Sequence, residues 1–303
     1  MRGIKKIITC PDSHEFADKK IADIEARLTE IYRAAWEHID EKSRKFFEEF
    51  EKSDKEMREK MGTSLVTQED YMAWRKDKLI VGEQFKRIKN RIAEELAKTN
   101  ETALAYVNGE LPEVFAVNYN DMGEAVVGAA KNPDIRFDIV DADTVRLLAM
   151  RDSELLPFKK LDIPADKRWN KKKMQSELLQ GILLGEPVPE IAKRMEKITD
   201  INRSSAMRNA RTMITGAENS GRLESVRRLA DSGVILKRVW MAAHDNVVRD
   251  LHKELDGQER GTEEPFEVGG YKIMYPGDPA GAPEMVYNCR CTTGVIYLGY
   301  KKK

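Results

Sequence analysis

The amino-acid sequence calls for an α+β fold, with mainly α-helical N-terminal and middle regions and a small, mainly β C-terminal module. Two observations carry this. Through most of the chain apolar residues recur at helical spacing, and after Gly233 the pattern changes to short runs rich in β-branched and large apolar residues.

At 303 residues the chain exceeds what one hydrophobic core usually serves, so two or three domains are expected. Hydrophobic residues at 41% and charged residues at 34% describe a polar but foldable chain with long solvated helices. Lysine plus arginine equals aspartate plus glutamate at 52 each, so no global field draws in a polyanion, and a nucleic-acid contact would need a local basic patch. Three cysteines, Cys10, Cys289 and Cys291, cannot form a disulfide framework, and a reducing compartment fits best. The basic start "MRGIKKIITC" leads into no apolar segment, and no run of about 18 apolar residues occurs. The expectation is a protein made in the cytoplasm, with no membrane partner and no anchor.

Residues 1–112 read as long amphipathic helices. From 13 to about 61, Ile21, Ile24, Leu28, Ile31 and Ala35 fall at spacings of 3, 4, 3 and 4, followed by Ile39, Phe46 and Phe50. Gly62 interrupts the pattern, and Thr67 with Asp70 three residues on has the form of a capping box. One long helix should follow, carried by Leu79, Val81, Phe85, Ile88, Ile92 and Leu96 to about Val107, with Gly109 and Pro112 as stop signals. Residues 113–168 read as a mixed connector in which "MGEAVVGAA" reads as a short helix, while "NPDIRFDIVDAD" and "LLPFKKLDIPAD" read as loops or short extended pieces. Residues 169–233 read as three helices cut at "GEP" (185–187) and near Thr199, ending on Gly233. In residues 234–303, "VILKRVWMAA" and "TTGVIYLGY" read as strands and "FEVGGYKIM" as a Gly-Gly hairpin. Between them lies a short helix capped by Asp245 and stopped by Asp256 and Gly257. The lysine runs at 171–173 and 301–303 read as solvated ends.

His244, Asp245, His252, Cys289 and Cys291 all fall within the last 60 residues, which hold two of the four histidines and two of the three cysteines. Thiolate and imidazole at tetrahedral corners suit Zn²⁺, and a small module gains folding free energy from such an ion. Cys289, Cys291 and His252 would supply three corners and His244 the fourth, with Asp245 as the alternative. The spacing differs from the Cys-x₂-Cys pairs of common zinc fingers. The blander reading makes both cysteines buried neighbours of an outward Arg290. Catalysis, by a Cys-His-Asp set or a His-Asp-metal nuclease centre, has no local signature behind it. On the preceding helix Arg208, Thr212, Thr215, Asn219 and Arg222 recur at 4, 3, 4 and 3, with Arg211 and Glu218 beside them. Such a polar seam is an internal network, a partner or phosphate surface, or a solvated face.

Over about 170–297 the chain resembles the tailed-phage minor head proteins of the phage Mu protein F-like head morphogenesis family. The matching positions run in order: Arg211, Thr212, Asn219, Arg222, Gly233, Trp240, Asp245, Arg249, His252, Leu255, Asp256, Gly257, Asn288, Cys289, Arg290 and Cys291. Two departures stand out. Met213 replaces a frequent Glu, and "APEMVYNCRC" lacks the histidine often found just before the Asn-Cys pair, which leaves a metal site to depend on His244. The resemblance implies a structural virion protein inside the phage head near the portal, made in the host cytoplasm, acting in capsid assembly and not an enzyme. It implies portal, major capsid or scaffold protein as partners, packaged DNA as a further contact, and no small-molecule substrate; from the residues themselves, Arg208, Arg227 and Arg228 are the candidates for nucleic-acid or partner contact. The alternative is a metal-dependent nuclease or toxin-like effector using the His/Asp/Cys cluster.

Overall fold

The structure, a computed structural model, describes residues 6–301; the first five residues and Lys302 and Lys303, including most of the terminal lysine run, lie outside the described residues. In chain order the elements are β1 (Ile7–Ile8), α1 (Pro11–Gly62), α2 (Gln68–Lys76), a π-helical turn (Asp77–Val81) and α3 (Glu83–Ala130). They continue with α4 (Ala142–Arg151), α5 (Ile163–Leu183), α6 (Val188–Asp231), β2 (Val234–Met241) and α7 (Asp250–Leu255). The chain then forms β3 (Glu259–Arg260), β4 (Phe266–Val268), β5 (Tyr271–Ile273), α8 (Pro283–Val286) and β6 (Thr292–Tyr300). The predicted α+β class and its small C-terminal sheet are both present. None of these helices is long and apolar enough to cross a membrane.

Packing divides the chain into two compact units, each assembled from separated stretches. One comprises 26–105 and 160–206 and is wholly helical. Its core joins Ile39, Phe46, Phe50, Leu79, Phe85 and Leu96 to Met174, Leu178, Ile191 and Ile198. The apolar spacing of α1 thus points at a real interior. Thr67 caps α2 as its sequence suggests, its side chain accepting from the Asp70 N–H while Asp70 reaches back to the cap.

The other unit comprises 1–25, 106–159 and 207–303. Its main sheet is antiparallel in the order β1-β6-β2-β3, and β4 pairs with β5 in a separate hairpin. Gly269 and Gly270 both sit at positive φ, the left-handed geometry that a two-residue hairpin turn requires. One core lies among Met122, Val126, Val226, Leu229, Leu236 and Val295. A second lies among Trp240, Leu255, Phe266, Ile273, Met285 and the two C-terminal cysteines.

Three expectations are corrected. The helix after Thr67 is broken, because the π-helical turn and extended Gly82 separate α2 from α3. The helix expected to end near Val107 runs on through Gly109 and Pro112 to Ala130, absorbing "MGEAVVGAA". An interior proline costs about 3 kcal/mol, but Leu111, Val114, Phe115, Met122 and Val126 are all buried around and beyond it, each contributing roughly 1.5–3 kcal/mol. No break occurs at Thr199, where α6 is continuous and Ile198, Thr199 and Asn202 are buried. In the connector, α4 forms mostly over 144–151, a stretch to which no element was assigned, and is capped by Asp141 accepting from the Thr144 N–H at 2.7 Å.

Candidate metal centre

The centre is built where α7 meets the approach to β6. α7 is six residues long, less than two turns, and directs His252 inward, 1% exposed. Asn288, at φ 54°, turns the chain between α8 and the cysteines. Cys289 and Cys291 then point inward, 2% and 1% exposed, while Arg290 points outward, as alternation predicts. His252 Nδ1 lies 3.3 Å from Cys291 Sγ and 3.6 Å from Cys289 Sγ. Their potential ligand atoms all lie within 4.8 Å of one another.

The two thiols are electrostatically unequal. The hydrogen bond between them holds Cys291 down to about 5, aided by His252 and the Ala243 N–H against the opposing effect of burial. The same bond, with burial added, pushes Cys289 well above the ordinary thiol value. The pair titrates as a unit, with the negative charge favoured on Cys291 over Cys289. Trp240, fully buried, packs edge-on to His252 at 5.5 Å and to Phe266 at 5.3 Å.

The fourth corner expected from His244 or Asp245 is absent from this cluster. The His244 side chain is 79% exposed and faces Asp256 at 3.7 Å. Asp245 is drawn outward by Arg290 at 2.7 Å and accepts from the Val247 N–H. Nor does Asp245 cap α7, whose N-cap is Arg249 with no side-chain cap. Asp256 and Gly257 do end the helix: Asp256 accepts from the Ala242 N–H, and Gly257, at φ 75°, donates to the Trp240 carbonyl. Arg249 donates to the Tyr287 carbonyl.

The polar seam of α6 is the internal network among the three readings. Thr212, Thr215, Glu218, Asn219 and Arg222 are all buried. Thr212 accepts from the Asn288 N–H, Thr215 donates to the Cys289 carbonyl and Asn219 donates to the Cys291 carbonyl. The helix therefore grips both ends of Cys-Arg-Cys by its backbone. Arg222 donates to the carbonyls of Thr293 and Cys10, to Ser13 Oγ and to Asn118 Oδ1.

The basic residues expected at a surface divide. Arg211 pairs with Glu25 and Arg227 with Glu263. Arg208 lies 5.2 Å from the centre of the Tyr287 ring, and Arg228 is exposed. Sequence reasoning missed Arg238, which is 1% exposed and donates to the Gly261, Glu264 and Met274 carbonyls; burial lowers it to about 10. The signal was there, since Arg238 shares an inward strand face with Leu236 and Trp240. It also missed His14, Ser13 and Asn118, lone polar residues on long helices that carry no such signal.

Against known proteins, residues 172–294 match the model of the family described as phage Mu protein F like protein. The chain is also similar to minor head protein GP7 of Bacillus phage SPP1, at 22% identity over 94% of this chain and 85% of that one. A second relative is the NAD(+)–arginine ADP-ribosyltransferase EFV of Enterococcus faecalis strain V583, at 32% identity over 118 residues, 39% of this chain. The chain spans about a quarter, 24%, of that enzyme's length. No solved structure matches. The head-protein resemblance read from the motif residues is thus shown.

Proposed function

We propose that the chain is a structural minor head protein of a tailed phage, acting in head assembly near the portal, and not an enzyme. The observation that carries this is the similarity to SPP1 minor head protein GP7, which extends over nearly the whole of both chains. The matched residues support it from within, because Arg222, Asn219 and Trp240 are buried framework rather than groups held ready for a substrate. In this reading residues 169–233 and 234–303 act together as the head-morphogenesis module. Its partners are portal, major capsid or scaffold protein, and its place is inside the virion. Packaged DNA would be met through the exposed Arg208 and Arg228. Zinc at His252, Cys289 and Cys291 is the one cofactor included, in a structural role. The test is co-purification with procapsids or portal complexes when the chain is produced with the other head proteins. A soluble, stable monomer that never associates with them would sink the reading.

The match to EFV favours one second reading, a toxin-like effector. A nuclease built on His252 and Asp245 is opposed by their positions, since one is sealed against Trp240 and the other is held by Arg290. Purified chain that transfers ADP-ribose from NAD⁺, or that cuts DNA with added metals, would replace the structural reading.

A further inference from the structure

We propose that His252 Nδ1, Cys289 Sγ and Cys291 Sγ bind one zinc ion as a three-ligand site, with the fourth position filled by water and neither His244 nor Asp245 as a ligand. This deepens, and rests on, the structural-zinc reading proposed above, and because it is argued from the side chains it stands or falls apart from any role in a virion.

The distances fit such an ion. With zinc bonds of about 2.3 Å to sulfur and about 2.0–2.1 Å to nitrogen, a tetrahedral nitrogen-to-sulfur edge is about 3.6 Å. His252 Nδ1 stands 3.3 Å and 3.6 Å from the two sulfurs. Both nitrogen-to-sulfur edges of the tetrahedron are therefore close to their zinc-bound length before any ion arrives, and the two sulfurs lie within 4.8 Å of each other. The arrangement is also held by other means, because Thr215 and Asn219 fix the carbonyls of both cysteines from α6. Two thiolates and a neutral imidazole are soft donors that select zinc over magnesium or calcium. Their charge cancels that of Zn²⁺, which removes the cost of burying an unpaired ion at a place only 1–2% exposed. On binding, the ion takes the Nδ1 lone pair and both sulfur lone pairs, and whatever protons the thiols carry pass to solvent. Binding at Nδ1 leaves the ring proton on Nε2, a buried atom with no hydrogen-bond partner among the described residues.

No further histidine, cysteine or carboxylate joins the three among the described residues. His244 is turned to solvent, Asp245 is held by Arg290 and Asp256 by the Ala242 N–H. The same engagements leave no carboxylate placed to move a proton at the ion, so the open position does not by itself create a hydrolytic centre.

The test uses the full chain, stripped by dialysis against a chelator and reloaded with Zn²⁺ or Co²⁺. A single ion per chain is expected, and the cobalt form should show thiolate charge-transfer absorption with the intense visible bands of four-coordinate geometry. His252→Ala, Cys289→Ser and Cys291→Ser should each weaken binding by more than about 100-fold, the upper range for loss of a mere outer-sphere partner. His244→Ala, Asp245→Ala and Cys10→Ser should retain the ion. A zinc ratio near zero after reloading, or weak six-coordinate cobalt bands, overturns the site. Loss of the ion in His244→Ala or Asp245→Ala overturns the three-ligand assignment. A ligand variant that does not fold leaves the decision with the cobalt spectrum of the unaltered chain.

Discussion

Arg222 distributes a single guanidinium over four acceptors from three different parts of the sequence and lies 3.4 Å from Glu218. At 1% exposure it would be among the costliest groups to bury alone, and its fixed fork is what makes the burial tolerable. Glu218 meets a second cation in His14, whose Nδ1 lies 2.9 Å from it. That hydrogen bond raises His14 above its ordinary 6.5, against burial, which lowers it. The folded protein then holds this proton more tightly than the unfolded chain does. The contact's contribution to stability is full below the unfolded value of 6.5 and is lost as pH rises through the folded one. Denaturation midpoints measured upward from about pH 6 should therefore fall more steeply for the natural chain than for His14→Gln. A steeper fall in the variant would reverse the assignment. At this scale the sequence was legible where alternation decides, as in the inward cysteines and outward Arg290. It was not legible for the fourth corner, because nothing in the spacing of His244 and Asp245 says that their loop turns them outward.

Among the elements, those with strong local chemistry were readable: the capping box at Thr67, the Gly-Gly hairpin and the two long strands. Those where burial overrides local preference were not, and Pro112 inside α3 is the clearest instance. Gly221 shows the same competition within α6. Alanine is worth about 1 kcal/mol more than glycine in a helix, which would recommend Gly221→Ala. A Cβ at that position, however, would stand 2.5 Å from the Phe115 carbonyl oxygen, a backbone atom of α3. Overpacking of this kind costs typically 1–3 kcal/mol, so Gly221→Ala should lower the denaturation midpoint despite its better propensity. A higher midpoint would show that the two helices can part at no cost. Gly216 repeats the arrangement, its Cβ position lying 2.7 Å from the Gly277 carbonyl oxygen.

At the scale of the molecule, what the sequence concealed was its closure in space. β1 is two residues long, too short to show any period, yet Ile7 pairs with Ile296 and Ile8 with Val295. Ile8 and Cys10 join the same core as Val234 and Val295, and burial pushes the Cys10 thiol up to about 12. Removing the first ten residues should therefore cost on the order of 3–5 kcal/mol through lost apolar burial and an orphaned Arg222 donor. Chemical denaturation of the shortened chain would measure it, and an unchanged midpoint would show β1 to be ornamental.

The strand order also sets a timetable for synthesis. β6 lies between β1 and β2 but is translated after both. While the ribosome is still adding residues 242–291, β1 has no neighbour, β2 has only the two residues of β3 to pair with, and Arg222 lacks the carbonyl of Thr293. Pairing of such distant segments must wait for the slow closure of a very long loop. A nascent chain arrested before β6 is thus kept from a finished sheet, and readiness for assembly becomes a late event in the life of each molecule.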